Sequence, residues 1–218
     1  MASLKRWLDR RRNPWKGVFH DAFKAWRREN GQARLSCYDW LTPGDIVFDV
    51  GAFRGEWTDT VLRQQPGAQM HLFEPHPGFV ASLEEKFAGS GNVHVHDIAI
   101  GSTTGTMMLS DAGDASSSVA DHGKAFEART LSVRDFFDAT PVERIALMKV
   151  NIEGGEYDLL PALIEAGEIG KVGRLQVQFH LFSPELKEAR DRVRAALEKT
   201  HDCAWSYPFV WEEWRLRA

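Results

Sequence analysis

Apolar and polar positions divide the chain into two unlike stretches. In the first, Trp15, Val18, Phe19, Ala22, Phe23 and Trp26 recur at helical spacing with Lys and Arg between them, which predicts an amphipathic helix with one apolar stripe. Leu4, Trp7 and Leu8 carry the same spacing ahead of Pro14. Pro14 suits a first helical turn, where a missing N–H is harmless, and Asn30-Gly31 closes the helix. From Pro43 onward, short apolar runs alternate with amphipathic ones. Strands are predicted over 46–50, 69–73, 93–100, 146–152 and 175–180, and helices over 56–65, 77–88, 156–166 and 184–199. Residues 106–109 and 128–131 read as β segments around a Gly/Asp/Ser-rich loop, 111–121, and 133–138 as a short helix. Residues 203–207 and 209–216 read as a closing antiparallel pair.

Strands alternating with helices at this spacing imply βαβ units and a doubly wound, mainly parallel sheet. Right-handed crossovers put helices on both faces. In such α/β sheets the ligand lies outside the carboxyl ends of the strands. The candidate chemistry is therefore sought just after each strand. The expected division is an N-terminal helical extension over 1–34 and one α/β domain over 35–218.

Composition adds the following. At 218 residues the chain can bury a sizeable core, and 43% hydrophobic with 27% charged residues is ordinary for a globular protein. Cys37 and Cys203 make neither a disulfide framework nor a metal-ligand spacing, so a reducing, cytoplasmic setting is expected. No apolar run reaches the roughly 20 residues that span a bilayer, and charges interrupt the N-terminal apolar stretches too often for a signal peptide. Residues 1–30 hold nine Lys or Arg against three acids, a net of +6, which leaves −10 for the remainder of a chain whose total is −4. That asymmetry raises three readings for the N-terminal helix: packing on the core, peripheral contact with the anionic inner face of a membrane, or a contact between copies in a homo-oligomer. Nucleic acid is not expected, because the body is acidic and no binding motif appears.

The first strand ends in Asp49-Val50-Gly51-Ala52-Phe53-Arg54-Gly55. Gly51 permits a tight turn and close approach of a ligand to the backbone, and Gly55 lets the next helix begin near the sheet. The pattern is D-x-G-x-x-x-G, neither the G-x-G-x-x-G of a dinucleotide fold nor a phosphate loop. A nicotinamide-dependent oxidoreductase is disfavoured accordingly. The second strand ends at Glu74-Pro75, where an ionised carboxylate can accept from both hydroxyls of a ribose. Asp97, followed by Ile98, stands where it could take the amino group of an adenine. The fourth strand runs into Lys149-Val150-Asn151-Ile152-Glu153-Gly154-Gly155-Glu156, and the fifth ends on His180. A histidine at such a strand end is a candidate base. Trp57, Trp205, Trp211 and Trp214 are available as stacking surfaces for sugar rings, and 111–121 stands where an acceptor lid could sit.

Four pieces in order, DVGAFRGEWT (49–58), LFEPHP (72–77), DIAIGSTTGTMML (97–109) and MKVNIEGGEYDLL (148–160), resemble the FkbM family of S-adenosylmethionine-dependent methyltransferases. The resemblance implies a class I, Rossmann-like methyltransferase fold with a seven-stranded sheet. It also implies O-methyl transfer to a hydroxyl of a sugar, glycan or related metabolite. By the same resemblance, Asp49, Gly51 and Gly55, with Ala52 and Phe53 between them, would line the methionine part of S-adenosylmethionine. Glu74 and Pro75 would hold its ribose, and Asp97 and Ile98 its adenine. Lys149, Asn151, Glu153 and Glu156 match the family's fourth block, with Asn151 facing both cofactor and chemistry. The family usually has Asp at the position of Asn151 and Glu at that of Gln178. Each loss of charge would weaken a divalent-metal site, and no metal is expected. The two substitutions also favour a rival reading, a non-catalytic S-adenosylmethionine-binding module in a glycan pathway. Among the catalytic candidates His180 is the first choice of base and Glu153 the second, with Lys149 and Glu156 expected as a buried pair shaping the pocket.

Overall fold

The computed structural model describes residues 13–111, 116–117 and 124–218. The helical spacing at Leu4, Trp7 and Leu8 lies outside them. The chain forms a seven-stranded sheet and a second, four-stranded one. In chain order the large sheet uses β1 (Ile46–Val50), β2 (Gln69–Phe73), β3 (Val93–His96), β8 (Ile145–Val150), β9 (Val172–Val177), β10 (His201–Tyr207) and β11 (Trp211–Leu216). Their spatial order is β10-β11-β9-β8-β1-β2-β3, with β11 antiparallel to both neighbours and the other pairs parallel. The central strands β1 and β8 are buried almost throughout. That is why they read as continuous apolar runs rather than as alternation.

Helices cover both faces. They are α1 (Gly17–Arg28), α2 (Gly31–Leu35), α3 (Glu56–Gln64), α4 (Pro77–Phe87), α5 (Val133–Ala139), α6 (Glu156–Glu165) and α7 (Leu186–Leu197). Local chemistry sets several starts. The His76 ring accepts from the Gly78 N–H ahead of Pro77, and Ser132 accepts from the Asp135 N–H at 3.0 Å. Helix α7 is held on β11 by Arg190 and Arg194, which both pair with buried Glu212.

Helix α1 turns its stripe inward. Ala22 and Trp26 are buried beside Leu35, Tyr207 and Val210, and the Tyr207 hydroxyl donates to Glu29 at 2.9 Å. Phe23 stays 42% exposed. Asn30 takes a left-handed φ of 51° and ends the helix. Gly31 then opens α2, because a Cβ there would collide with the Trp26 indole. Among the described residues no helix is long and apolar enough to cross a membrane.

The second sheet is an insertion between β3 and α5. It comprises β4 (Ala99–Gly101), β5 (Gly105–Asp111), β6 (Ser116–Ser117) and β7 (Lys124–Ser132) in the order β4-β7-β5-β6. The single strand expected over 93–100 is therefore two. Residues 93–96 pair with β2, the chain breaks at Asp97-Ile98, and 99–101 pair with β7 in the other sheet. The expected lid, 111–121, falls largely outside the described residues. Of it, Asp111 and Ser116–Ser117 form the end of β5 and its short partner.

Candidate active site

A cavity of about 460 Å³ opens at the carboxyl ends of β1, β2 and β8. Its size suits a nucleoside-bearing ligand. On one side lie Gly51, Phe53, Glu74, Pro75 and Ile98, and on the other Asn151, Ile152 and Glu153. The second sheet supplies a wall of Thr106, Met107, Leu109 and Thr130.

The glycine loop is shaped by three contacts. Gly51 has φ +82°, and a Cβ there would collide with the Asn151 carbonyl, so the loop after β1 lies directly on the loop after β8. Phe53 also has positive φ, 52°, and its N–H donates to Glu74 Oε2 at 2.8 Å. Gly55, φ +73°, starts α3 against Phe87 and Leu83, where a side chain would not fit. A left-handed non-glycine residue costs about 1–2 kcal/mol, so Phe53 is held there by its surroundings.

Glu74 is 5% exposed and lines the cavity. Burial pushes its pKa up, against the lowering pull of the N–H groups of His76 (2.9 Å) and Phe53. Each carboxylate oxygen keeps acceptor capacity beyond those two bonds. That is what a ribose diol needs.

Several residues expected at the cofactor do not line the cavity. Asp49 is fully buried and does not line the cavity. Its carboxylate takes Lys149 Nζ at 2.9 Å and the Thr58 hydroxyl at 2.7 Å. Lys149 Nζ donates further to the Gly51 carbonyl at 2.8 Å. Lys149 therefore pairs with Asp49 across the register of β1 and β8, and not with Glu156. Ala52 and Gly55 shape the loop without lining the cavity. Asp97 is 61% exposed at its side chain and is held by both oxygens to Arg129 at 3.0 Å. Its neighbour Ile98 lines the cavity and Asp97 does not.

Glu156, fully buried, folds the loop after β8. Its Oε2 accepts the Gly154 N–H at 2.8 Å, and its Oε1 accepts the His180 N–H at 2.7 Å. The His180 ring sits between two carboxylates, with Nδ1 3.2 Å from Glu156 and Nε2 3.5 Å from Glu153. Burial alone would lower the His180 pKa. The hydrogen bonds and charges of Glu153 and Glu156 outweigh it and hold the ring at about 9. The same contact with His180 pulls the Glu153 carboxyl down. Glu153, with φ 48°, is with Phe53 the second non-glycine residue of the site in the left-handed region. Phe182 stacks on the His180 ring at 5.6 Å.

Sequence reasoning missed the second-sheet wall, Phe79 and Asp158. Phe79 meets Phe53 at 4.4 Å between ring centroids. Asp158 accepts the Ser102 N–H at 2.8 Å and ties α6 to the inserted sheet. Its position in the first turn of the helix after the fourth block was the available signal. Of the four tryptophans expected as stacking surfaces, Trp214 is core, Trp57, Trp205 and Trp211 are packed against clusters, and none lines this cavity.

The cavity fits S-adenosylmethionine in volume, in the collision that excludes a side chain at Gly51, and in its ribose-ready carboxylate. Structural comparison finds an rRNA methylase of Streptococcus thermophilus with TM-score 0.50 at 11% identity, covering 82% of this chain and 90% of that one. An SAH-bound methyltransferase of Podospora anserina has TM-score 0.50 at 8% identity, covering 80% and 72%. At such identities the likeness concerns the fold. No curated protein matches the chain in sequence. The family model of the methyltransferase FkbM domain matches residues 49–204, which takes in the glycine loop, Glu74, the fourth block and His180. The chain belongs to this FkbM methyltransferase family, whose members use S-adenosylmethionine.

Proposed function

We propose that this protein transfers a methyl group to a hydroxyl of a sugar, glycan or related small metabolite. The observation that carries the reading is the Glu153 carboxylate, which lines the cofactor cavity and is held by His180, itself outside the lining. S-adenosylmethionine supplies a methyl group already activated on a sulfonium centre. The chain's own task is to align the acceptor and take its proton. A base at neutral pH needs a free lone pair. His180, held at about 9, is cationic there, whereas Glu153 is ionised. We therefore assign the acceptor's O–H proton to a Glu153 oxygen and a positioning role to His180. Asn151, lining the same cavity, offers a neutral amide to orient the hydroxyl. Lys149 keeps the glycine loop in place and does not touch the acceptor.

The cavity's own chemistry supports a hydroxylic acceptor over a nucleic acid. Glu74, Glu153 and Asp158 line it, with no Lys or Arg among the described lining residues. Acids accept from hydroxyls and repel phosphates. Transfer of labelled methyl from S-adenosylmethionine to neutral oligosaccharides, with an RNA pool as comparison, tests this. Label on RNA alone contradicts it. Tight S-adenosylhomocysteine binding with no transfer to any acceptor would favour the non-catalytic module.

A further inference from the structure

A second groove, about 520 Å³, lies apart from the methyl-transfer cavity and shares no lining residue with it. Arg34 comes from the end of α2, Trp40 from the connection into β1, Arg174 from β9, Trp205 from β10 and Arg215 from β11. The strand register puts Arg174 directly opposite Arg215, and Gln176 opposite Glu213. Like charges directly opposite on neighbouring strands are destabilising. The pair is relieved chiefly by Glu213, 2.8 Å from Arg215 and 3.8 Å from Arg174, with the Asp39 charge acting on Arg174 in the same sense. Glu213 is 4% exposed at its side chain and also accepts from Gln176, so it neutralises from beneath and leaves the guanidinium donors facing the groove. Arg34 is exposed and enters no hydrogen bond or ion pair among the described residues.

The walls add shape. The Arg174 guanidinium lies 3.6 Å from the centroid of Trp40, whose own N–H is fixed to the Cys37 carbonyl at 3.1 Å. Together they make a flat, cationic platform. Trp205 is braced by Trp26 and Tyr207 at 6.1 Å each. Asp39, exposed on the rim, is a hydroxyl acceptor. A ligand that satisfies all of this has a ring to lie on indole and guanidinium, hydroxyls for Asp39, and one negative charge per ring for the arginines. A polyphosphate chain would meet Asp39, Glu213 and a net charge of −4 over the whole molecule.

We propose that this groove binds an acidic saccharide, a sugar ring bearing a carboxylate. The proposal is separate from the methyl-transfer reading, and its test does not require turnover. The full chain is titrated calorimetrically with tetragalacturonate, with neutral maltotetraose and with octauridylate RNA. Tetragalacturonate should bind, with maltotetraose weaker by at least about tenfold. Arg34→Ala, which removes no described partner, and Arg34→Ala/Arg215→Ala should each weaken the acidic sugar, the double variant by at least about tenfold. S-adenosylhomocysteine titration of the same variants should be unchanged, which reports an intact fold. No heat with tetragalacturonate overturns the proposal. So does unchanged affinity in both variants, or tighter binding of the RNA through the same arginines.

Discussion

Lys149 and Asp49 face each other across neighbouring parallel strands, Nζ 2.9 Å from Oδ1, with side chains 6% and 0% exposed. The same Nζ holds the Gly51 carbonyl at 2.8 Å. One buried ion pair thus ties the middle of the sheet to the glycine loop beside the cavity. Removing one partner of such a pair leaves a buried charge uncompensated and costs about 3–5 kcal/mol. Lys149→Met should lower stability by that order in chemical denaturation. Adding Asp49→Asn to it should cost less than the two single losses summed.

Gly51 is constrained twice, by its φ of +82° and by the Asn151 carbonyl. Gly51→Ala should therefore push the two loops apart. We expect S-adenosylhomocysteine affinity to fall at least about tenfold, a loss of about 1.4 kcal/mol, while circular dichroism stays that of the parent. Unchanged affinity would show that the loops do not need this contact.

Glu153→Gln should reduce turnover by about 10²–10⁴ with little change in cofactor affinity, as expected for loss of a general base. His180→Gln should reduce it less. His180 has a folded pKa raised from 6.5 to about 9, so the stability it contributes is fully present below 6.5 and is lost as pH rises through about 9. Turnover should fall over the same rise, as Glu153 loses its charged partner. Turnover that instead rises through about pH 9, as His180 becomes neutral, or a His180→Gln loss larger than that of Glu153→Gln, would return the base role to His180.

On β2 and β3 the opposite shift occurs. His71 Nδ1 lies 3.0 Å from His96 Nε2, and the two rings stack at 5.3 Å beside His94 and Phe73. Burial first, and then the neighbouring imidazoles, lower His71 from 6.5 to about 4, and burial also lowers His96. Here the unfolded chain binds protons that the folded one refuses. Stability should fall as pH drops below 6.5 toward 4. His71→Gln should flatten that slope in urea titrations at stepped pH.

Much of the frame could be read from the chain. The short apolar run at 46–50 matches β1, a central parallel strand buried on both faces, and the alternating run at 69–73 matches β2, whose Gln69 and His71 are only half-buried. The run VHVH alternates, but His96-Asp97 sets two polar residues side by side before the apolar Ile98-Ala99-Ile100, and this break in the alternation, read as part of one strand, marks the change of sheet. The glycine loop and Glu74 were legible because their chemistry is local to strand ends. The partners of Lys149, Glu156 and His180 were not, since cross-strand register and the fold of the 151–155 loop decide them. Asp97 was legible as an acid but not as one engaged by Arg129, 32 residues on.

Calorimetric titration of S-adenosylhomocysteine into the parent and Glu74→Gln proteins tests the central claim most directly, that this cavity holds the methyl donor through the carboxylate after β2. The parent should bind one equivalent. Glu74→Gln should bind about 10- to 100-fold more weakly, the worth of a hydrogen bond to a charged group, with its thermal unfolding still cooperative. Absence of binding by the parent, or equal affinity in the variant, would contradict it.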